Sequence, residues 1–182
     1  AIEAGIRVFG ENKVQEAKRK IPNLKGDFIF HMIGHLQSNK ARDAVLLFDL
    51  IHSIDKNDTA AAVDREAGKL GKRQKVLIQV NTSAEVSKSG TDPADALDLV
   101  KYILDMKNLD LRGLMTMAPF TDNEIIIRET FRAARELMES INFSLGICLD
   151  ELSMGMSSDY RIAVEEGATM VRIGTAIFGH RD

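Results

Sequence analysis

Two polar segments in the last third of the chain carry residues suited to binding a phosphate group. Residues 153–159 (SMGMSSD) and 172–179 (RIGTAIFG) each lie at the end of a β-like run. Glycine lets the backbone approach a ligand closely, while hydroxyl groups and helix N-termini donate hydrogen bonds to anions. Ser157, Gly174 and Thr175 therefore predict a phosphate-binding cup, although serine and glycine also build ordinary turns.

Two other polar residues stand at predicted strand ends. Arg172 is the first residue of the second segment and precedes Gly174 and Thr175, where it would offer a fixed cation beside whatever group carries the phosphate. Asn12 follows Phe9-Gly10-Glu11 and could contact a ligand, or it could cap a helix that begins near Lys13. Taken alone, the capping role is favoured for Asn12.

The remaining polar clusters give weaker signals. His31 and His35 are four residues apart, but Gly34 interrupts the segment and no carboxylate stands at a zinc-protease spacing, so we expect structural hydrogen bonds and no metal site. The polar loop 81–90 is long enough to contact a ligand, and its Lys88 could meet a phosphate as a point charge or simply remain solvated.

Strands must bring these residues to one edge of a sheet. Short β-like runs alternate with amphipathic segments, and several runs are almost continuously apolar, as parallel strands covered on both faces are. The predicted strands are residues 6–9, 28–33, 50–54, 76–80, 111–117, 151–154 and 170–173. The predicted helices are residues 14–20, 39–47, 57–70, 93–106, 123–141 and 159–166. Asp92 is a candidate N-cap, and Gly71 and Gly167 are candidate C-terminal caps.

Composition limits the class of protein. With 182 residues, 45% hydrophobic and 28% charged, the chain predicts one soluble globular domain over residues 1–182. A net charge of -3 and the lack of a long apolar stretch argue against nucleic-acid and membrane partners. Cys148, the only cysteine, lies in an apolar run and is predicted to be a small buried core residue of a cytoplasmic protein.

The alternation of strands and helices predicts an α/β fold, a TIM-type (β/α)8 barrel. Residues 1–5 resemble the last turn of a helix capped by Gly5, and the same helix, glycine, strand order recurs at residues 163–173. Seven strands and a shortened first helix lead us to expect a barrel that lacks its first strand and most of its first helix. An open doubly wound sheet is the alternative, which the absence of a Gly-x-Gly-x-x-Gly fingerprint disfavours.

Several motifs together resemble one family. Residues 9–12 (FGEN), 30–40 (FHMIGHLQSNK), 87–90 (SKSG), 112–115 (RGLM) and the two cup segments occur in the order found in pyridoxal-phosphate homeostasis proteins. That family has the barrel of the alanine racemase N-terminal domain without a second domain. The resemblance implies a noncatalytic protein that binds pyridoxal 5'-phosphate, takes part in intracellular cofactor homeostasis and delivers the cofactor to apo-enzymes.

The resemblance also implies roles for individual residues. It places the cofactor phosphate against Ser157, Gly174 and Thr175, with Arg172 facing the pyridine nitrogen and Asn12 near the far edge of the ring. An arginine at that position keeps the pyridine nitrogen unprotonated, which weakens the ring as an electron sink. The phosphate assignment agrees with the cup inferred from residue types.

One family feature has no counterpart in the sequence. The lysine that forms the Schiff base with the cofactor is expected on a first strand that would precede Ala1. Noncovalent binding, or a substitute such as Lys40 or Lys88, would then be required. Unpaired strand edges also lead us to expect partial opening, dimerisation or strand exchange.

Two other functions remain open. A pyridoxal-phosphate racemase or decarboxylase of the same fold type would need a second acid or base, and neither Tyr102 nor Tyr160 is suitably placed by the pattern. A barrel enzyme acting on another phosphorylated metabolite would use the same cup.

Overall fold

The computed structural model of the protein describes residues 1–83 and 89–179. Its strands are β1 (Val8–Glu11), β2 (Ile29–Met32), β3 (Leu50–Ile54), β4 (Gln74–Gln79), β5 (Leu109–Met115), β6 (Glu151–Met156) and β7 (Met170–Arg172). Its helices are α1 (Val14–Lys20), α2 (Ala41–Leu47), α3 (Asn57–Lys69), α4 (Pro93–Leu104), α5 (Glu124–Leu145), α6 (Tyr160–Glu165) and α7 (Thr175–Phe178). Short 3-10 turns occupy Ile21–Asn23 and Ser38–Lys40.

The strands form one parallel sheet whose spatial order is the order of the chain, β1 to β7. A doubly wound sheet reverses its strand order at a switch point, whereas a barrel adds each strand to the same side of the last. The unbroken order therefore confirms the predicted barrel and rules out the doubly wound alternative. Within the described residues β1 and β7 are not paired with each other. The barrel is therefore nearly closed, with a gap in the hydrogen bonding between its first and last strands.

The main core lies between the sheet and the surrounding helices. Phe131 and Ala134 on α5 are fully buried, as are Val63 on α3 and Val100 on α4. Removing one such large apolar side chain from water contributes about 2 to 3 kcal/mol. Packing all round the sheet fixes the strands, and thus their carboxyl ends, relative to one another.

A smaller apolar cluster lies on the opposite face of the sheet. Ile51, Val76 and Leu114 belong to the core beneath the helices, so their chain neighbours Leu50, Leu77 and Met115 point the other way, into the barrel lumen. There the latter three pack together, with Met117 and Met170 against them. The lumen is therefore filled with side chains at this level.

The ends of several elements follow the sequence signals. Asp92 caps α4 by accepting a hydrogen bond from the Ala94 N–H at 2.9 Å. Gly71 and Gly167 have φ angles of 62° and 95° and end α3 and α6, as predicted. Helix α5 runs past its predicted end at residue 141 because the chain reaches a left-handed residue only at Gly146, with φ 63°.

The prediction for Cys148 is wrong, because its side chain is exposed. In the segment leading into β6, Leu149 is buried while Ile147 is half-buried and Cys148 points outward. An extended backbone sends neighbouring side chains to opposite sides, so an apolar run here does not bury all its members.

No helix within residues 1–83 and 89–179 is both long enough and apolar enough to cross a membrane.

Gly113 gives a test of the strand packing. It lies opposite Glu151 on the neighbouring strand, and a Cβ atom at this position would overlap the Glu151 backbone carbonyl. We expect Gly113→Ala to lower the free energy of unfolding by about 3 kcal/mol, since a backbone strand must shift. Gly146→Ala has open space around its Cβ and should lose only about 1 kcal/mol through its positive φ. Urea unfolding measures both, and equal losses would contradict this packing.

Candidate functional site

The carboxyl ends of β6 and β7 bring the predicted phosphate-binding residues together. Ser157 Oγ accepts hydrogen bonds from the backbone N–H of Gly174 at 3.1 Å and of Ala176 at 3.3 Å. Thr175 is the first residue of α7, and its side chain is exposed. The Ser157 hydroxyl hydrogen has no acceptor within the described part of the chain, so it is available to a ligand. We call Ser157, Gly174, Thr175 and Ala176 the cup.

The turn that carries Ser157 is held from below. The Asp159 carboxylate is buried and accepts a hydrogen bond from the Met156 N–H at 2.6 Å. Gly155 adopts φ 89°, and a Cβ atom there would lie 2.5 Å from Ala163 Cβ on α6. A glycine is therefore required for α6 to pack closely under the cup.

Arg172 extends from the end of β7 into the lumen beside the cup. Its Nη1 donates to Ser153 Oγ at 2.7 Å, and its Nη2 donates to the Thr116 carbonyl oxygen at 2.9 Å. Both acceptors are neutral. Burial lowers the pKa of Arg172 to about 10, while the charge of Asp159 opposes that shift. The guanidinium is thus a charged group in a partly buried position, held by two neutral acceptors.

The charge of Arg172 has no carboxylate at ion-pair distance among the residues that the structure describes. Two of its five N–H donors are used by Ser153 and Thr116, which leaves three without a protein acceptor in the same part of the chain. A partly buried cation with free donors gains from a ligand acceptor, because hydrogen bonds to a charged group are stronger than those between neutral groups. The arrangement therefore suits a ligand that brings an acceptor or a negative charge.

Thr116 links Arg172 to the end of β4. Its hydroxyl donates to the Val80 carbonyl oxygen at 3.0 Å and lies 2.9 Å from Thr82 Oγ1. Since the Thr116 hydroxyl has given its hydrogen to Val80, Thr82 is the donor in the second contact. Thr116 is therefore held by its side chain as well as by its backbone, and this fixes the carbonyl oxygen that accepts from Arg172.

Two histidines continue the polar contacts on the other side of Ser153. His52 Nδ1 lies 3.0 Å from Ser153 Oγ, and His52 Nε2 lies 3.1 Å from His31 Nδ1. Burial lowers the pKa of His52 well below its ordinary value of 6.5, and the neighbouring His31 and Arg172 lower it further. Burial also lowers the pKa of His31, an effect that Asp49 opposes and Lys75 adds to. Both imidazoles are therefore neutral near pH 7.

Asn12 lies just after the end of β1. Helix α1 begins after Lys13 with no side-chain cap, so the capping role that the sequence favoured for Asn12 is wrong. Instead the Asn12 backbone packs against Gly34, where a Cβ atom would overlap the Asn12 carbonyl oxygen. No hydrogen bond joins Asn12 to the cup or to Arg172 within the described ranges.

Asn12 lines a cleft of about 180 Å³ between α1 and the segment that follows β2. Lys40, a candidate Schiff-base lysine, lines the same cleft and is half-buried. Lys88, the other proposed substitute, lies outside the described residues. The residues that line the cleft beside Asn12 therefore include two lysines, Lys13 and Lys40.

The histidine pair singled out in the sequence does not act together. His31 contacts His52 inside the barrel, whereas His35 Nδ1 lies 3.6 Å from Asp55 Oδ2 at the cleft side. Across residues 1–83 and 89–179, no three histidine, cysteine, aspartate or glutamate side chains are grouped to hold a metal ion.

Sequence patterns did not point to His52, Ser153 or Thr116 as site residues. His52 and Ser153 lie within predicted strands, and Thr116 lies at the end of one, with apolar neighbours on both sides. Each of them is a polar residue inside a predominantly apolar strand, and this feature could have identified them. A polar side chain that is buried in such a strand must form a hydrogen bond with another group.

Comparison with known proteins identifies relatives over the whole chain. The family model for the alanine racemase N-terminal domain matches residues 1–182. The pyridoxal phosphate homeostasis protein of Aquifex aeolicus is 42% identical over 178 residues, which cover 97% of this chain and 78% of the relative. The protein of the same name from Synechocystis is 44% identical over 184 residues, covering 100% of this chain and 84% of the relative.

A solved structure shows the same fold. PipY from Synechococcus elongatus PCC7942, determined with PLP bound, superimposes with a TM-score of 0.91 at 42% identity. The match covers 98% of this chain and 84% of PipY.

The lowered pKa values of His31 and His52 make stability depend on pH. In the unfolded chain both take up protons as the pH falls through about 6.5, whereas in the fold they stay neutral to a lower pH. The unfolded state therefore binds more protons at low pH. The contribution of the neutral histidines to the free energy of unfolding should be fully present above about pH 6.5 and should decrease as the pH falls toward 5. Urea unfolding at pH 7.5, 6.5 and 5.5 should show a smaller fall in His52→Asn, which cannot titrate. Identical pH slopes in the two proteins would refute the role of His52.

Proposed function

Because the chain belongs to the pyridoxal phosphate homeostasis protein family, within the wider alanine racemase N-terminal domain family, we propose that it binds pyridoxal 5'-phosphate and serves in the homeostasis of that cofactor. Two kinds of observation support this. Relatives over the full chain carry that name, and a structural neighbour at 42% identity was determined with PLP bound.

The strongest support from the chain itself is the environment of Arg172. A partly buried cation with three unused donors, beside a cup whose Ser157 hydroxyl also lacks an acceptor within the described residues, suits a ligand with acceptors at two places. Pyridoxal phosphate offers a phosphate group at one place and a pyridine nitrogen at another. The residues present therefore fit the cofactor.

Each residue has a part in this proposal. The hydroxyls of Ser157 and Thr175 and the Thr175 N–H at the start of α7 hold the phosphate, and Gly174 lets the backbone approach it closely. Arg172 donates to the pyridine nitrogen, and Ser153 and Thr116 hold its guanidinium in the lumen. Asn12 is assigned to the far edge of the ring on family resemblance alone.

The choice of arginine bears on what the bound cofactor does. Pyridoxal phosphate supplies an aldehyde that reacts with amines and a ring that withdraws electrons when its nitrogen is protonated. Arg172 keeps its proton because even its lowered pKa of about 10 lies above neutral pH. A cation that donates a hydrogen bond disfavours protonation of the nitrogen it faces, which suits a protein that carries the cofactor without using it for catalysis.

Further parts of the proposal concern the whole protein. We assign residues 1–182 to one cofactor-binding barrel domain that acts in the cytoplasm. Apo-enzymes that require pyridoxal phosphate are the proposed recipients. The names of the relatives support the homeostasis role.

Removing the Ser157 hydroxyl tests the cup. Ser157→Ala should weaken pyridoxal phosphate binding by about 1 to 3 kcal/mol, because the oxygen that fixes the Gly174 and Ala176 N–H groups is lost together with a donor. Thr175→Val should have a similar effect if its hydroxyl meets the phosphate. Equilibrium dialysis with pyridoxal phosphate and with pyridoxal, which has no phosphate, separates the contributions.

The matched control is Ser144→Ala, since Ser144 is exposed on α5. Its affinity for both ligands should equal that of the wild type. Loss confined to pyridoxal phosphate in Ser157→Ala supports the cup. The cup would be overturned if Ser157→Ala lost as much affinity for pyridoxal as for pyridoxal phosphate. It would also be overturned if neither Ser157→Ala nor Thr175→Val lost affinity for either ligand.

Replacing Arg172 tests the ring assignment. Arg172→Gln removes the charge but keeps an amide donor, so the absorbance spectrum of the bound cofactor should change while the circular dichroism of the fold does not. Arg172→Lys, which retains a charge, should change the spectrum less. A globally unfolded Arg172→Gln protein would show instead that the arginine is structural.

A further inference from the structure

The Ser153 hydroxyl lies between the cationic Arg172 and the neutral His52. Ser153 is fully buried, with its Oγ 2.7 Å from Arg172 Nη1 and 3.0 Å from His52 Nδ1. Arginine can only donate hydrogen bonds, so Ser153 Oγ is the acceptor in the first contact. The direction of the second contact then determines where the hydroxyl hydrogen goes.

Only one direction satisfies every group in this part of the lumen. The Ser153 hydroxyl has no acceptor other than His52 Nδ1 within residues 1–83 and 89–179, and a buried donor without an acceptor costs about 1 to 3 kcal/mol. Ser153 therefore donates to His52 Nδ1. A neutral imidazole with an accepting Nδ1 carries its proton on Nε2. His52 consequently donates from Nε2 to His31 Nδ1, 3.1 Å away.

The same direction fixes His31. Its Nδ1 is an acceptor, so its own proton lies on Nε2. The lowered pKa values of both histidines agree with this pattern, because a second proton on either ring would place two donors face to face. The three residues come from β2, β3 and β6, so the chain of hydrogen bonds crosses the lumen.

We propose that Ser153, His52 and His31 form a one-directional hydrogen-bond chain that positions the Arg172 guanidinium for the ring nitrogen of the cofactor. This rests on the proposed function for the identity of the ligand, but not for the geometry of the chain. His52 and His31 are positioning residues, since they act on the ligand only through Ser153 and Arg172. An accepting oxygen held at one place selects one orientation of the guanidinium and directs its unused donors toward the cup side.

The tautomers of the two histidines can be observed in the protein without any ligand. Long-range proton–nitrogen NMR spectra at pH 7.5, assigned with His52→Asn and His31→Asn, should show both rings neutral with the proton on Nε2. A proton on Nδ1 of His52 would reverse the chain and overturn the proposal.

Arg172 itself supplies the second readout. In the wild type its Nη–H signals should be resolved, because two of them are held by Ser153 and Thr116. Ser153→Ala and His52→Leu should broaden those signals, while His52→Asn should restore them in part, because its side-chain oxygen can accept from Ser153. The control is Thr59→Val, which alters a fully buried hydroxyl on α3 that has no hydrogen-bond partner among residues 1–83 and 89–179.

Titration with pyridoxal phosphate completes the experiment. His52→Leu should bind about three- to tenfold more weakly than Thr59→Val and shift the absorbance maximum of the bound cofactor, and His52→Asn should lie between them. Suppose that the wild type binds pyridoxal phosphate but that His52→Leu and Thr59→Val have the same Arg172 signals, the same affinity and the same cofactor spectrum. That result would overturn the positioning role and leave the proposed function intact. The Arg172 signals could instead respond as expected although the protein binds no pyridoxal phosphate. That result would support the hydrogen-bond chain and reject the proposed function.

Discussion

Arg172 places a positive charge inside the barrel with only neutral acceptors around it, and much of the surrounding structure follows from holding that charge. A partly buried guanidinium is held in one place by the acceptors that its donors reach. Ser153 and the Thr116 carbonyl satisfy two of them, and both are fixed by further contacts, to His52 and to Val80. The remaining donors are the reason for proposing a binding site here rather than a structural ion pair.

The parallel barrel explains why the two halves of the site meet. All strands run the same way and follow chain order, so their carboxyl ends share one edge. At that edge Ser157 after β6 contacts Gly174 after β7, while Arg172 on β7 points into the lumen. Backbone N–H groups and hydroxyls suit a phosphate, which spreads its charge over several oxygens, and a guanidinium suits a single accepting nitrogen.

Sequence patterns predicted the strands, most helices, the cup and Arg172, because apolar periodicity and glycine-serine turns are local signals. They did not predict His52 or Ser153, whose role depends on contacts between strands far apart in the chain, nor the exposure of Cys148. Family resemblance supplied the cofactor and the place of Asn12. A strand that is buried on both faces is apolar almost throughout, so its sequence does not show which residues face the lumen. The hydrogen bonds from Ser153 to His52 and His31 could therefore be identified only in the folded structure.

The ring nitrogen of the cofactor reports on the central claim most directly. Pyridoxal phosphate labelled with nitrogen-15 in the ring can be added to the full chain and its chemical shift measured in the bound state at pH 7.5. If Arg172 donates to that nitrogen while the cup holds the phosphate, the shift will be that of an unprotonated, hydrogen-bonded pyridine, and Arg172→Gln will change it. A protonated pyridinium, or a shift indifferent to Arg172, would contradict the account.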